Sequence, residues 1–196
     1  NPGKVALASN VIVSTADDNT NGWVANSFNL TTSAETHAIL DINGYFSPAA
    51  ESGGLGFNPM TPCRLVDTRD VSYAPASQPI GGPAISANSS RSFNLGASTR
   101  CGTLPSDLQA YALTVTVLPS GPLGFINVYP TGISNPATST LNDIEGQILA
   151  GGGIFKAGTN REISIYASDT THVIIDITGY FSTNGNTYHA IVPCRL

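Results

Sequence analysis

Asp17, Asn19 and Asn21 alternate ahead of Gly22. This is the pattern of the first half of a calcium loop, in which every second side chain supplies an oxygen and a glycine makes the turn. The second half does not follow, because the twelfth position is Phe28 where such a loop needs a bidentate Glu. A calcium ion here must borrow ligands from another strand or subunit and is held weakly; a solvated polar loop explains the same residues. Arg64, Asp67 and Arg69, extended by Asp70, form a second concentration of charge. A carboxylate flanked by two guanidinium groups makes bidentate hydrogen bonds, which either pin a strand and its loop or grip an anionic sugar, and pinning is the favoured reading. On a regular strand Cys63, Leu65 and Asp67 share one face and Arg64, Val66 and Thr68 the other.

Catalytic constellations are missing. There is no GxSxG, no HExxH and no glycine-rich phosphate loop between a strand and a helix, the arrangements that place a nucleophile, a metal or a phosphate. His37 and His172 head two copies of one repeated segment, which suits packing or hydrogen bonding at a strand start better than proton transfer. No catalytic residue is assigned and the chain is not expected to be an enzyme. The three cysteines include no CxxC and the three histidines are dispersed, so a zinc site is not expected, and calcium is the one cofactor the residues suggest. Trp23, Tyr73, Tyr129, Tyr166 and Tyr188 supply either a sugar-stacking platform or a protein interface.

The elements that position these residues read as strands. YALTVTVL (111–118), FINVY (125–129), REISIYAS (161–168), HVIIDI (172–177) and SRSFNLG (90–96) are β-branched or alternating, and glycine and proline turns separate them. No stretch of eleven or more residues keeps apolar side chains at helical spacing without Gly or Pro intervening. The expected class is all-β, an antiparallel β-sandwich in preference to a closed barrel. Gly151, Gly152 and Gly153 before Ile154 read as a bulge or a tight crossing against neighbouring strands.

Length and charge narrow the partners. The 196 residues carry 8 basic and 13 acidic side chains, where average usage would give about 50 charges; 20 Ser, 20 Thr and 16 Asn supply the polar surface instead. A net charge of −5 argues against a nucleic-acid groove or docking on anionic lipid. No apolar run approaches the roughly 18 residues that span a membrane. A chain that opens Asn1-Pro2 reads as a processed product or a segment of something longer.

The chain repeats itself. HAILDINGYF (37–46) returns as HVIIDITGYF (172–181), 135 residues on, and PCRL (62–65) returns at 193–196, 131 residues on. The implied organisation is residues 1–47 as the back portion of one unit, 48–61 as a linker, 62–183 as a complete unit, and 184–196 as a linker and the first strand of a following unit. GKVALASNVIV (3–13) aligns loosely with GQILAGGGIFK (146–156), and the earlier copy carries a longer loop around Ala16–Trp23. Repeat-end residues Asp41, Gly44, Tyr45 and Phe46, and their counterparts Asp176, Gly179, Tyr180 and Phe181, read as the closing end of a core. The glycine permits a bend there, and the carboxylate accepts backbone or hydroxyl hydrogen bonds. A unit without its front portion exposes strand edges. Its ends are expected to take completing strands from outside the chain, by strand exchange with a copy or by stacking of tandem repeats.

PCRLVDTR (62–69), Cys101-Gly102, LTVTVLPSGPLGFINVYPTG (113–132), STLN (139–142) and DTTHVIIDITGYF (169–181) together resemble the all-β repeats of large secreted or surface-exposed bacterial proteins. Those repeats occur in tandem or beside catalytic and adhesive domains. The resemblance covers 62–183 with good specificity and 1–47 more weakly. It implies a structural or accessory role and a disulfide between Cys63 and Cys101; the count of two cysteines in the complete unit agrees. Cys194, the repeat counterpart of Cys63, is left unpaired or intermolecular. A disulfide implies an oxidising, extracellular or cell-surface location. The expected function is a structural repeat or subunit of an extracellular fibre, whose partners are copies of itself joined head to tail or adjacent repeats of one polypeptide. The alternative is a glycan-binding accessory or adhesion module of a larger secreted protein.

Overall fold

The computed structural model describes residues 10–13, 27–47, 55–70, 80–136 and 138–195. The candidate calcium ligands Asp17, Asn19 and Asn21, and the aromatics Trp23 and Tyr73, lie outside the described residues. The strands are β1 (Asp41–Ser47), β2 (Gly56–Asp67), β3 (Ser89–Phe93), β4 (Ala110–Pro119), β5 (Leu123–Pro130), β6 (Leu141–Asp143), β7 (Leu149–Lys156), β8 (Ile163–Ala167), β9 (Thr171–Ser182) and β10 (Thr187–Arg195). They form two four-stranded sheets, ordered β2-β9-β4-β7 and β3-β8-β5-β6, and a two-stranded ribbon of β1 and β10. All pairings are antiparallel. The protein is all-β, with the two larger sheets packed as a sandwich. Among the described residues no helix is long and apolar enough to cross a membrane.

β4 shows why these residues choose this fold. Leu113, Val115 and Val117 point inward and are buried, while Thr114 and Thr116 alternate outward, so one face meets the facing sheet. That sheet answers with Phe93, Ile126, Ile163 and Ile165, and β9 adds Val173, Ile175 and Ile177; all belong to one buried cluster. Each fully buried Ile or Leu contributes about 1.5–3 kcal/mol relative to its exposed state. Tyr111 is buried with them and donates its hydroxyl hydrogen to the Arg161 carbonyl at 2.7 Å. This satisfies the phenol's donor, and burial raises its pKa.

Several elements differ from the sequence expectations. Residues 56–61, expected in the linker, are the first half of β2, with Gly56–Pro59 paired to Gly179–Ser182. Pro59 and Pro62 are tolerated because β2 is an edge strand. Leu65 and Val66 are both buried where alternation would split them, because the register slips between Arg64 and Val66 and a bulge turns consecutive side chains to one side. The segment after Phe93 leaves the sheet for a short 3-10 turn, Leu95–Ala97, capped by Asn94, whose Oδ1 accepts from the Ala97 N–H at 2.9 Å. His37 does not begin a strand; β1 starts at Asp41, and Ile39 is 67% exposed where its counterpart Ile174 is 6% exposed. Ile174 lies in β9 between β2 and β4, whereas no described strand flanks residues 37–40.

Candidate functional site: the paired end strands

Two short stretches at opposite ends of the chain meet in the β1–β10 ribbon. Its pairs are Asp41–Arg195, Ile42–Cys194, Gly44–Ala190, Tyr45–His189, Phe46–Tyr188 and Ser47–Thr187. Shifting each β10 residue back by 131 and each β1 residue forward by 135 gives Arg64–Asp176, Cys63–Ile177, Pro59–Gly179, Asn58–Tyr180, Phe57–Phe181 and Gly56–Ser182, all of them pairs of β2 with β9. The irregularity is copied too: the register slips between Ile42 and Gly44 as it does between Pro59 and Cys63. The end ribbon is therefore a second copy of the strand pair that edges the sandwich. Its two strands come from the tail of one repeat and the head of another.

Three chemical features set this register. The first is a glycine opposite a ring. A Cβ on Gly179 would stand 2.4 Å from the Phe57 ring, and one on Gly44 would stand 2.2 Å from the Tyr188 hydroxyl; both glycines serve close approach. The second is charge, seen in the β2–β9 pair: Arg64 donates Nε–H to Asp176 Oδ1 at 3.0 Å and a second N–H to Oδ2 at 3.3 Å, and the equivalent ladder position pairs residues Asp41 and Arg195. The third is an aromatic junction that joins the ribbons. Phe46 lies 4.4 Å from Phe57, 5.1 Å from Tyr188 and 6.0 Å from Phe181 between ring centroids, distances at which tilted rings attract.

The link from β9 to β10 is residues 183–186. Asn58 donates its amide hydrogen to the Asn184 carbonyl at 2.6 Å. Phe57 and Asn186 exchange backbone hydrogen bonds of 2.9 and 2.7 Å, and Thr183 donates its hydroxyl hydrogen to Asp107 Oδ2 at 2.7 Å. The ribbon end rests on the outer face of the β2-β9-β4-β7 sheet, where Ala110 and Ala112 are buried with Phe57 and Phe181. A cavity of about 340 Å³, lined by Val11, Phe46, Tyr188, Ala112 and Ile154 among others, remains there. Asn10 crosses the same face: a Cβ on Gly152 would meet its carbonyl oxygen at 1.7 Å, so the triple glycine makes a tight crossing.

The charge cluster divides its work. Asp67 accepts two hydrogen bonds from the Arg69 guanidinium, at 2.9 and 2.7 Å, and one from the Arg69 backbone N–H at 3.1 Å. The hydrogen bonds from Arg69 hold its carboxyl below the usual carboxylate range. Arg64 lies 3.7 Å from Asp67 but spends its bidentate geometry on Asp176. The partner of Asp176 is thus a guanidinium, where backbone or hydroxyl donors were expected, because the β2–β9 register sets Arg64 directly across. Cys63 and Cys101 form a disulfide with Cα atoms 5.8 Å apart. His172 shares a hydrogen bond between Nδ1 and the Thr68 hydroxyl at 3.1 Å.

Of the five aromatics, only Tyr129, Tyr166 and Tyr188 lie among the described residues, and these three do not share one sheet. Tyr129 is 8% exposed, its hydroxyl donating to Ser90 at 2.9 Å, and Tyr166 tilts against Phe125 and donates to Asn88 Oδ1; of the described three, Tyr188 alone belongs to the end ribbon. Strands from outside the chain were expected on these end segments; within this chain β1 and β10 have each other as partners. Phe57, Asn58 and the 183–186 link were missed as functional residues. Reading the 131-residue offset upstream from PCRL aligns Phe57 with Tyr188 and would have exposed the first of them. Compared with family models, curated proteins and solved structures, the chain matches none.

Proposed function

We propose that the chain is a structural repeat or subunit of an extracellular fibre, built by head-to-tail strand complementation between copies, with a mechanical rather than a catalytic role. One observation carries the reading: β1 and β10, from different repeat units, pair in all six positions as β2 and β9 do. Ends that recognise each other in this way can join copies through the same pairs that close one chain. Donor and acceptor are different surfaces, so the contact between copies is heterologous, the kind that builds a filament when its rotation does not close a ring. The Cys63–Cys101 disulfide suits an oxidising location outside the cell. The scarcity of charge suits a spacer with few electrostatic partners.

The test is the size and shape of the full chain across a concentration series, by light scattering and negative-stain electron microscopy. Elongated species whose length grows with concentration are expected. A compact monomer at every concentration, including the highest soluble one, overturns the proposal.

A further inference from the structure

We infer that β10 is an exchangeable strand: a second copy of this chain lays its Thr187–Arg195 on β1 in place of the chain's own, in the same register, with residues 183–186 as the hinge. This rests on the fibre reading above and names the donated strand, the receiving edge and the element that decides between closed and joined forms.

β10 has β1 as its ladder partner and belongs to neither sandwich sheet. A β10 from a second copy would make the same six pairs and set its Tyr188 against Gly44 and Phe46. The strand contacts are equal in the two forms, so the balance falls on the hinge and on concentration.

In the closed chain Phe57 has Phe181 of β9 as one antiparallel partner and Asn186 of the hinge as a second, so residues 183–186 cross from one side of β2 to the other before β10 pairs with β1. A β10 laid on the β1 of another copy leaves that path, and the hinge swings away from β2. Swinging breaks the Phe57–Asn186 pair and the Asn58 bond to Asn184. Asn58 therefore acts as a clamp on the closed form. Gly185, at φ +142° and packed backbone to backbone on Gly56, is the position where the chain can change direction without a Cβ. The cavity beside Phe46 and Tyr188 and the small residues Ala110 and Ala112 beneath the ribbon leave this junction loosely filled. The chain's own β10, tethered by a four-residue link, competes at an effective concentration of about millimolar. Dilute chains stay closed, and exchange proceeds where copies are crowded.

The test uses Cys194 as a native reporter. An Ile42→Cys, Cys194→Ser chain is mixed with an unaltered chain of different mass, both concentrated and refolded together under mild oxidation. A disulfide between position 42 of one chain and Cys194 of the other, identified by mass spectrometry of the joined peptides, is the expected result. Adding Asn58→Ala to both chains should raise its yield several-fold. The Ile42→Cys chain alone reports folding, because an intrachain bridge to Cys194 forms when β1 and β10 pair as described. Intrachain bridging in that control with no mixed product overturns the inference. If elongated species still form, the fibre reading survives through another contact; if none form, both fall. An unchanged yield on Asn58→Ala overturns the clamp.

Discussion

The Phe57 ring occupies the space that a side chain on Gly179 would fill, with ring carbons 2.4 and 2.5 Å from the position of a Cβ. The Asn58 carbonyl oxygen lies 2.7 Å from the same position, so the obstacle includes backbone that cannot rotate aside. Gly179→Ala is expected to destabilise the sandwich by about 1–3 kcal/mol, the usual cost of overpacking. Gly44→Ala meets the flexible end of Tyr188 instead and should loosen the end ribbon alone. Thermal melts with amide hydrogen exchange separate the two: the first variant lowers the melting temperature, and the second speeds exchange in β10 with the melt unchanged. Equal effects on the melt would refute the distinction.

Cys63 and Cys101 enclose 38 residues of sequence separation. In the chain-entropy account such a loop contributes about 4 kcal/mol through the unfolded state. Cys63→Ser with Cys101→Ser should lose stability of that order in denaturant titration, and reduction of the unaltered chain should match it. A loss under about 1 kcal/mol would mean that the reduced chain stays constrained by other means.

Asp67 binds its proton less readily in the folded chain than in the unfolded one, because Arg69 holds the carboxylate. Its contribution is complete above the ordinary carboxylate range near pH 4 and is lost as pH falls through the lower folded value. Asp67→Asn should be less stable at pH 7 and should show a shallower loss on acidification below about pH 4. Denaturation midpoints at successive pH values check this, and parallel curves for the two chains would count against it.

Arg64 and Asp176 meet in good geometry, yet their side chains are 43% and 29% exposed. Solvent screening limits such a pair to about 1 kcal/mol or less. Arg64→Ala should cost no more than that at low salt, and the difference from the unaltered chain should shrink in 1 M salt.

Gly152→Ala would force the Asn10 carbonyl away from a contact of 1.7 Å while leaving the β4–β7 ladder intact. Faster proteolysis around residues 10–13, with no change in global denaturation, is the expected outcome. An unchanged cleavage rate would show that this segment is held from elsewhere.

Much of the architecture was legible along the chain. The alternation of Leu113, Val115 and Val117 with Thr114 and Thr116 is a local pattern with a local cause, so β4 and its inward face could be read directly. The same holds for β5, β8 and β9, and for the repeat itself. Alternation failed at Leu65 and Val66, where a bulge formed against β9 has no signature within the five residues around it. The carboxylate at 176 was recognised as needing partners, but the choice of Arg64, 112 residues away, depends on register.

The contrast between residues 39 and 174 shows where the division falls. Sequence periodicity determined that both are isoleucines of one repeated strand motif, that the chain is all-β, and that its ends carry matching pieces of different units. Tertiary structure decided that Ile174 is buried and Ile39 is not, and that the two ends meet each other as β1 and β10. Periodicity is set by the backbone's own geometry, residue by residue, whereas burial and strand partnership depend on which distant surface is present to receive a side chain.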